Sequence, residues 1–384
     1  MMKEPLLAQR RAIVIHSPHA GRSASFSHAL TLLEHAGIEV VDVLPIAVVA
    51  DAVTGGQQWK ASGINLVVAA GGDGVVGSVV RLALDAHLPL GILPLGTAND
   101  LARSVGIPQG LASAVRVIAS GTARVIDLGQ AHPLLFDGLP TSHPSARPDQ
   151  HRFFAHALTV GLSVQFAQIA TNKAIRQRYG RLTYPFALGQ AFKRYRPIDA
   201  EMHFQDVALH TSSSSSPPLV TSDHLMLRSR IAQITAVNAP IFWGALQGRV
   251  PGVSFTDRRL DLVVFEDAPR SQLVGRMLHF FTSKHQCSPD KHGWHAQYPD
   301  LLPGAFTDIA GVHHLQARSV TIFTQGQAQA VTLDGEVSLQ TPIEARVADE
   351  QLQLLAPKDT SESTLGTQAK AIWLARLRLI MLGM

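Results

Sequence analysis

Cysteine is nearly absent from this chain. Cys287 is the only one in 384 residues, which excludes a disulfide framework and any thiolate metal cluster. Charge is scarce as well: Asp, Glu, Lys and Arg make up 16% of the sequence, and mean hydropathy is slightly positive at +0.12. So little charge implies an apolar surface or pocket on a folded protein. No apolar run reaches the roughly 20 residues needed to span a bilayer, and Met1–Arg11 lacks the apolar core of a signal peptide. The eighteen histidines show no HExxH-type metal spacing and read as solvated loop residues, with His313-His314 the single adjacent pair. A net charge of +4 is too weak to argue for nucleic acid, but suits an anionic lipid or nucleotide.

What is present is ample core. Hydrophobic residues make up 46% of the chain, and the length fits two domains. Ala12–Ile15 reads as a buried strand, Phe26–Ala36 has helical spacing, and Gly37–Val43 reads as a second strand. Ile64–Ala70 runs directly into Gly71-Gly72-Asp73-Gly74, and a helix is expected from about Val76 to Ala86. Leu88–Leu93 runs directly into Pro94-Leu95-Gly96-Thr97-Ala98-Asn99-Asp100, followed by a helix near Asn99 and another over Leu111–Ala119. This alternation to about residue 125 predicts an α/β domain with a doubly wound parallel sheet.

Beyond it the pattern changes. Phe153–Val164, Ala200–Leu209, Leu225–Ala236, Leu260–Val264, Ser319–Thr324, Ala328–Leu333 and Ile343–Val347 read as strands joined by turn-rich segments. They predict a mainly antiparallel, β-sandwich-like domain. One helical segment, Ala174–Tyr195, interrupts them and carries Arg176, Arg178, Arg181, Lys193 and Arg194. His132–Gln150 and His210–Pro218 read as polar hairpin inserts. The expected domains are 1–128, 129–358, and a linker with an apolar, basic tail over 359–384.

The two glycine-bearing turns carry the chemistry. A parallel sheet delivers such turns to its carboxyl edge, where open α/β sheets bind ligands. Glycine lets a backbone approach phosphate closely, and unpaired N–H groups at a helix start attract anions. Asp73 and Asp100 are placed to handle the accompanying cation. At the far end Asp334-Gly335-Glu336 follows a strand, and Gly335 permits a tight turn. Phosphoryl transfer to an alcohol needs a carboxylate to take the hydroxyl proton and a cation to offset charge.

Together these segments resemble the bacterial diacylglycerol kinases, soluble lipid kinases similar to sphingosine kinases and more distantly to NAD kinases. The resemblance extends over nearly the whole chain. Besides the two glycine turns and Asp334-Gly335-Glu336, it is carried by Asp127-Leu128-Gly129, Arg178-Tyr179-Gly180-Arg181-Leu182-Thr183-Tyr184 and Asn238-Ala239-Pro240. It implies a nucleotide site in the cleft between the domains, with ATP and Mg2+ as cofactors. Ser17, Gly21, Gly71, Gly72, Asp73, Gly74, Gly96, Thr97 and Asn99 would surround the nucleotide. Asp100 and Asp127 would hold catalytic magnesium, directly or through water, and Asp257 a structural magnesium. Glu336 would be the general base, with Asp334 its acidic companion. The implied partner is a lipid met at a membrane surface, by a cytoplasmic enzyme with peripheral membrane contact. A homodimer is compatible with the sequence.

The chain also departs from the pattern it resembles. Val75, Val76, Gly77 and Ser78 stand where Thr, a variable residue, Asn and Glu are usual, so three polar groups are gone. Ser17-Pro18-His19-Ala20-Gly21 replaces Asn-Pro-x-Ser-Gly. Arg258 replaces a glycine beside Asp257, and Arg259 replaces a leucine. Two other readings stay open: an NAD-kinase-like phosphotransferase, and a regulator that binds nucleotide or lipid without turnover. The basic, apolar second domain favours the lipid branch, and the intact acids favour an enzyme. The arginines of Ala174–Tyr195 suit either anionic headgroups or a solvated helix face.

Overall fold

The computed structural model describes residues 9–18, 25–49, 55–134, 152–209, 219–242, 248–250, 252–282 and 309–358. Gly21, Cys287, the His210–Pro218 insert, nearly all of the His132–Gln150 insert and the tail after residue 358 lie outside the described residues. Two compact units divide the described chain: 9–126 with 350–358, and 127–349. The division falls inside two strands, so the stretch from residue 350 returns to the first unit.

The first unit contains β1 (Arg11–His16), α1 (Phe26–His35), β2 (Glu39–Pro45), α2 (Ile46–Val49), α3 (Gly55–Ala61), β3 (Leu66–Gly71), α4 (Asp73–Ala86), β4 (Leu90–Pro94), α5 (Asp100–Ser104) and α6 (Leu111–Ser120). Its sheet is parallel in the order β2-β1-β3-β4, and Leu354 continues it in parallel beside Leu90. Every residue of β3 and β4 is buried, as expected for parallel strands covered on both faces by helices. Burial of side chains such as Leu66 and Leu90 stabilises the sheet by about 1.5–3 kcal/mol each. Gly91 lets α6 pack closely: a Cβ there would lie 3.1 Å from the Ile118 side chain. The expected doubly wound parallel sheet is thus observed.

The second unit begins within β5 (Thr122–Pro133). It continues through β6 (Arg152–Phe154), β7 (Ala157–Gly161), α7 (Leu162–Ala170), α8 (Lys173–Tyr179), a 3-10 turn (Gly180–Leu182), α9 (Thr183–Arg194), β8 (Ile198–Leu209), β9 (Leu219–Val237), β10 (Ile241–Phe242), β11 (Gly248–Arg249), β12 (Leu260–Glu266) and α10 (Arg270–Thr282). It ends with β13 (Val312–Ala317), β14 (Ser319–Thr324), β15 (Ala330–Leu333), β16 (Glu336–Gln340) and β17 (Ile343–Ala356), whose last part lies in the first unit. Antiparallel pairing gives the order β16-β15-β7-β9-β12-β13-β8-β14-β17. β8 and β9 also pair with each other, so the sheet turns back on itself around a core that includes Phe154, Phe204, Leu262 and Leu315. The second domain is mainly antiparallel, as the strand pattern predicts.

Three local expectations are corrected. Phe153–Val164 is not one strand. It ends at Gly161, where φ is 106° and a Cβ would run into the Ala232 carbonyl, and a helix follows at once. The helix over Ala174–Tyr195 is split at Gly180, whose φ is 49°; the Thr183 hydroxyl donates back to the Gly180 carbonyl at 2.8 Å. Finally, His313 and His314 are not solvated. Both are buried in β13, an unanticipated strand. Each ring meets a carboxylate: His313 to Glu266 at 3.1 Å and His314 to Asp261 at 2.8 Å.

Candidate functional site

In the first unit β3 and β4 end side by side, with Gly71 opposite Pro94. The turns that follow are bound to each other. The Gly71 carbonyl accepts from the N–H of Leu95 at 2.9 Å and of Gly96 at 3.2 Å. The Asp73 carboxylate accepts from the N–H of Leu101 at 3.2 Å. A Cβ on Gly72 would sit 3.1 Å from the Gly96 Cα, and one on Gly96 would collide with Gly72. Mutual packing thus excludes a side chain at Gly96 and crowds one at Gly72, before any ligand is considered. Gly72 precedes α4 in an extended conformation without a side-chain cap, so that helix start offers uncapped N–H groups, an arrangement suited to an anion.

Asn99 organises the second turn. It is buried and left-handed, with φ at 52°. Its Oδ1 accepts from the Gly96 N–H at 2.9 Å, and its Nδ2 donates to the Gly96 carbonyl at 3.0 Å and to Gln109 Oε1 at 2.9 Å. Asparagine tolerates this conformation better than most residues. The side chain is thus committed to the loop itself. Thr97, in contrast, is exposed. Asp100 lies buried in the first turn of α5. Ser17 is half-buried just beyond β1.

Val75 and Val76 of the altered loop are buried on α4. Val75 fills the space against which a Gly71 Cβ would press. The Ser78 hydroxyl donates to the Gly74 carbonyl at 3.0 Å.

In the second unit Asp334 and Gly335 form a two-residue hairpin turn between β15 and β16, with φ at 49° and 87°. Positive φ at both positions is the hairpin turn that Asp-Gly favours. The Asp334 carboxylate does not stay open to solvent. It accepts from the N–H groups of Ala155 at 3.0 Å, His156 at 2.9 Å and Ala157 at 3.0 Å. Asp334 therefore pins the hairpin to the start of β7. Desolvation pushes its pKa up, opposed by His156 and these N–H groups. Glu336 is exposed and follows the turn. Although the residue is accessible to solvent, the protein around its carboxyl desolvates it enough to raise its pKa, and the Asp334 charge adds to the shift.

Asp127 is fully buried. Its own N–H donates to the Phe255 carbonyl at 2.7 Å. Its carboxylate accepts from the Arg258 N–H at 2.7 Å and from the Arg258 guanidinium at 3.3 Å. Asp257 accepts from the Arg259 N–H at 3.1 Å and from Gln316 at 3.1 Å. Its pKa is pushed up to about 6, first by desolvation and then by Asp261. Arg259 turns away to Asp206, at 2.8 Å.

The oxygen chemistry of the Asp100 carboxylate suits magnesium. Asp127 suits a metal less well, since both of its oxygens accept from protein donors and one donor is itself a cation; both oxygens of Asp257 also accept protein hydrogen bonds. Among the described residues no group of three or more His, Cys, Asp or Glu side chains could hold a metal ion.

Residue spacing alone gave Asn238 no role. Its Nδ2 donates to the Asp127 carbonyl at 2.8 Å and the Ala155 carbonyl at 3.0 Å, linking Asp127 to the segment held by Asp334. Asn238-Ala239-Pro240 was visible as a motif, but its partners are 111 and 83 residues away in sequence.

The second unit also has an open pocket at α8 and α9. Ile169, Ile175, Tyr179 and Phe186 form its apolar wall, with Arg178 and Arg194 among the polar groups. Tyr179 and Phe186 stack at 4.1 Å. Leu182 nearby is 66% exposed. The side chains of Arg176 and Arg181 lie outside the described residues.

Residues 11–131 match the diacylglycerol kinase catalytic domain family. The Bacillus subtilis diacylglycerol kinase is 35% identical over 133 residues, 33% of this chain and 44% of that protein. A Mycobacterium tuberculosis diacylglycerol kinase is 24% identical over 354 residues, 89% of this chain and 93% of that one. The chain spans about half the length of two of the curated relatives that it matches, 58% of one and 44% of the other. The same fold occurs in a Bacillus anthracis protein described as a diacylglycerol kinase. That likeness has a TM-score of 0.62 at 18% identity and covers 93% of this chain and 99% of that one. Residues 11–131 are thus similar to the catalytic domain of the diacylglycerol kinases, and the chain as a whole shares the fold of a protein so described.

Proposed function

We propose that this protein is an ATP- and magnesium-dependent lipid kinase that phosphorylates the hydroxyl of diacylglycerol or a related lipid. The observation that carries this reading is the match of residues 11–131 to a kinase catalytic domain. That segment contains two glycine turns locked together at the carboxyl ends of β3 and β4. The N–H groups at the start of α4 and the exposed Thr97 hydroxyl would hold nucleotide phosphate. Asp100 would hold magnesium, which offsets charge on the phosphates. Glu336 takes the acceptor's hydroxyl proton. The oxygen forms a bond to the γ-phosphorus as the bond to the ADP oxygen breaks. A raised pKa makes Glu336 a better proton acceptor than an ordinary glutamate. Asp334 acts on it by position, through its bonds to the start of β7.

The pocket at α8 and α9 supports a lipid partner at a membrane surface. Its aromatic wall suits an acyl chain, and Arg178 and Arg194 suit an anionic headgroup. Among the described residues no helix is long and apolar enough to cross a bilayer, so contact there would be peripheral.

The test is transfer of labelled γ-phosphate from ATP, with magnesium, into a total lipid extract, with the product identified by mass. A phosphorylated alcohol lipid is the expected product. Phosphorylation of NAD in place of lipid would move the protein to the NAD-kinase branch. No transfer to any acceptor would make it a non-catalytic binder.

A further inference from the structure

We infer that Arg258 is a resident cation for Asp127, and that the second unit carries its acidic cluster without a divalent metal at Asp127 or Asp257. Asp127 is fully buried, and a buried carboxylate must be paired or neutralised. One residue supplies two partners, one to each oxygen: the Arg258 N–H at 2.7 Å and its guanidinium at 3.3 Å. The geometry that allows this is unusual. Arg258 has φ at 59°, the left-handed region that favours glycine and strains a side chain. Glycine would relieve the strain and keep the N–H bond, but it would lose the positive charge. The strained arginine is explained by that charge.

The neighbouring carboxylates are also satisfied by the protein. Asp257 receives the Arg259 N–H and Gln316, and Asp261 receives His314 at 2.8 Å. Arg259 is drawn off to Asp206. A divalent ion entering this cluster would have to displace these donors and sit beside a guanidinium. This goes beyond the lipid kinase reading and stands apart from it, because its test reads stability, not turnover. Any magnesium requirement of catalysis would then lie with the nucleotide and the first unit.

The experiment uses the full chain, stripped with EDTA, in thermal melts with and without added magnesium or calcium chloride and no nucleotide. Wild type should melt at one temperature in all conditions. Arg258→Gly should melt about 5 °C lower and recover part of that loss with either ion. Asp127→Asn should remove most of the penalty in the double variant, because the two changes act on one pair. The inference is overturned if wild type is stabilised by magnesium or calcium and Asp257→Asn abolishes the effect. It is equally overturned if Arg258→Gly is as stable as wild type in EDTA. Should Arg258→Gly fail to fold, the wild-type melts and the Asp257→Asn control still decide.

Discussion

The two units bury polarity in opposite ways. Among the described residues of the first, the buried polar side chains are Asn99, Asp100 and Ser104, all at or beside the second glycine turn. In the second they are spread through the sheet, from Asp127 and Gln130 to His314 and Thr341. A buried polar group costs free energy unless it is paired. In the first unit that cost is met only where the turns are held in shape. In the second, pairing is part of ordinary packing: Thr159 and Thr332 meet across strands at 2.6 Å, and Gln233 accepts from the Ser163 hydroxyl at 2.7 Å. A buried carboxylate therefore points to a site in the first unit, but not by itself in the second.

The comparison would break most visibly at Glu336, the exposed acid among so many paired ones. Glu336→Gln should lower turnover by roughly 100-fold or more while nucleotide affinity stays near wild type. Turnover within a few-fold of normal would remove Glu336 from the chemistry. The ionised form is the base, and its pKa is raised above the ordinary 4.5. The acid limb of kcat/KM should accordingly lie above pH 4.5 and fall away as Glu336 protonates. An acid limb at or below the ordinary value would assign that role elsewhere.

Asn99 tests the other unit. Asn99→Ala removes the side-chain bonds that close the turn and places alanine at positive φ. A loss of about 2–3 kcal/mol in unfolding free energy is expected, with weaker ATP binding. Denaturant melts and nucleotide titration of the same variant would show whether the loop's shape and the nucleotide site are one thing. Gly72→Ala is a less clean probe, since its Cβ would press on Gly96 whether or not phosphate is present.

The altered stretch after the first turn gives a smaller effect. Because Val75 is buried against the Gly71 turn, Val75→Thr should cost about 1–2 kcal/mol by burying a hydroxyl. A tighter nucleotide dissociation constant in that variant would instead mean that the lost polar group is missed. The smallest change is expected at the basic pocket. Joint neutralisation of Arg178 and Arg194 should weaken sedimentation with anionic vesicles a few-fold, and less so at high salt, where surface charge is screened. Equal binding to neutral vesicles would exclude an electrostatic contact.

Much of this was legible from local pattern. Apolar runs leading into Gly71 and Pro94 announced parallel strands and their turns, because side-chain periodicity and glycine placement are properties of neighbouring residues. Asp334-Gly335 announced a tight turn for the same reason. Even the break at Gly161 was within reach, since an isolated glycine in a strand pattern marks a close backbone approach.

Pairings were not legible. Arg258 follows Asp127 by 131 positions, and from sequence it was only an unwelcome charge beside Asp257. Asp334 was an acid in a turn until its N–H partners from Ala155 to Ala157 came to it across the sheet. His313 and His314 passed for solvated residues because nothing local names Glu266 and Asp261 as their partners. The sequence by itself determined the strand and helix alternation of the first unit and the glycine turns after β3, β4 and β15, since these follow from steric and hydrophobic preferences a few residues long. Tertiary structure alone decided which charges are buried and satisfied within the protein and which remain open to solvent. A charge is neutralised by whatever lies within a few ångströms of it, and chain order does not specify that neighbour.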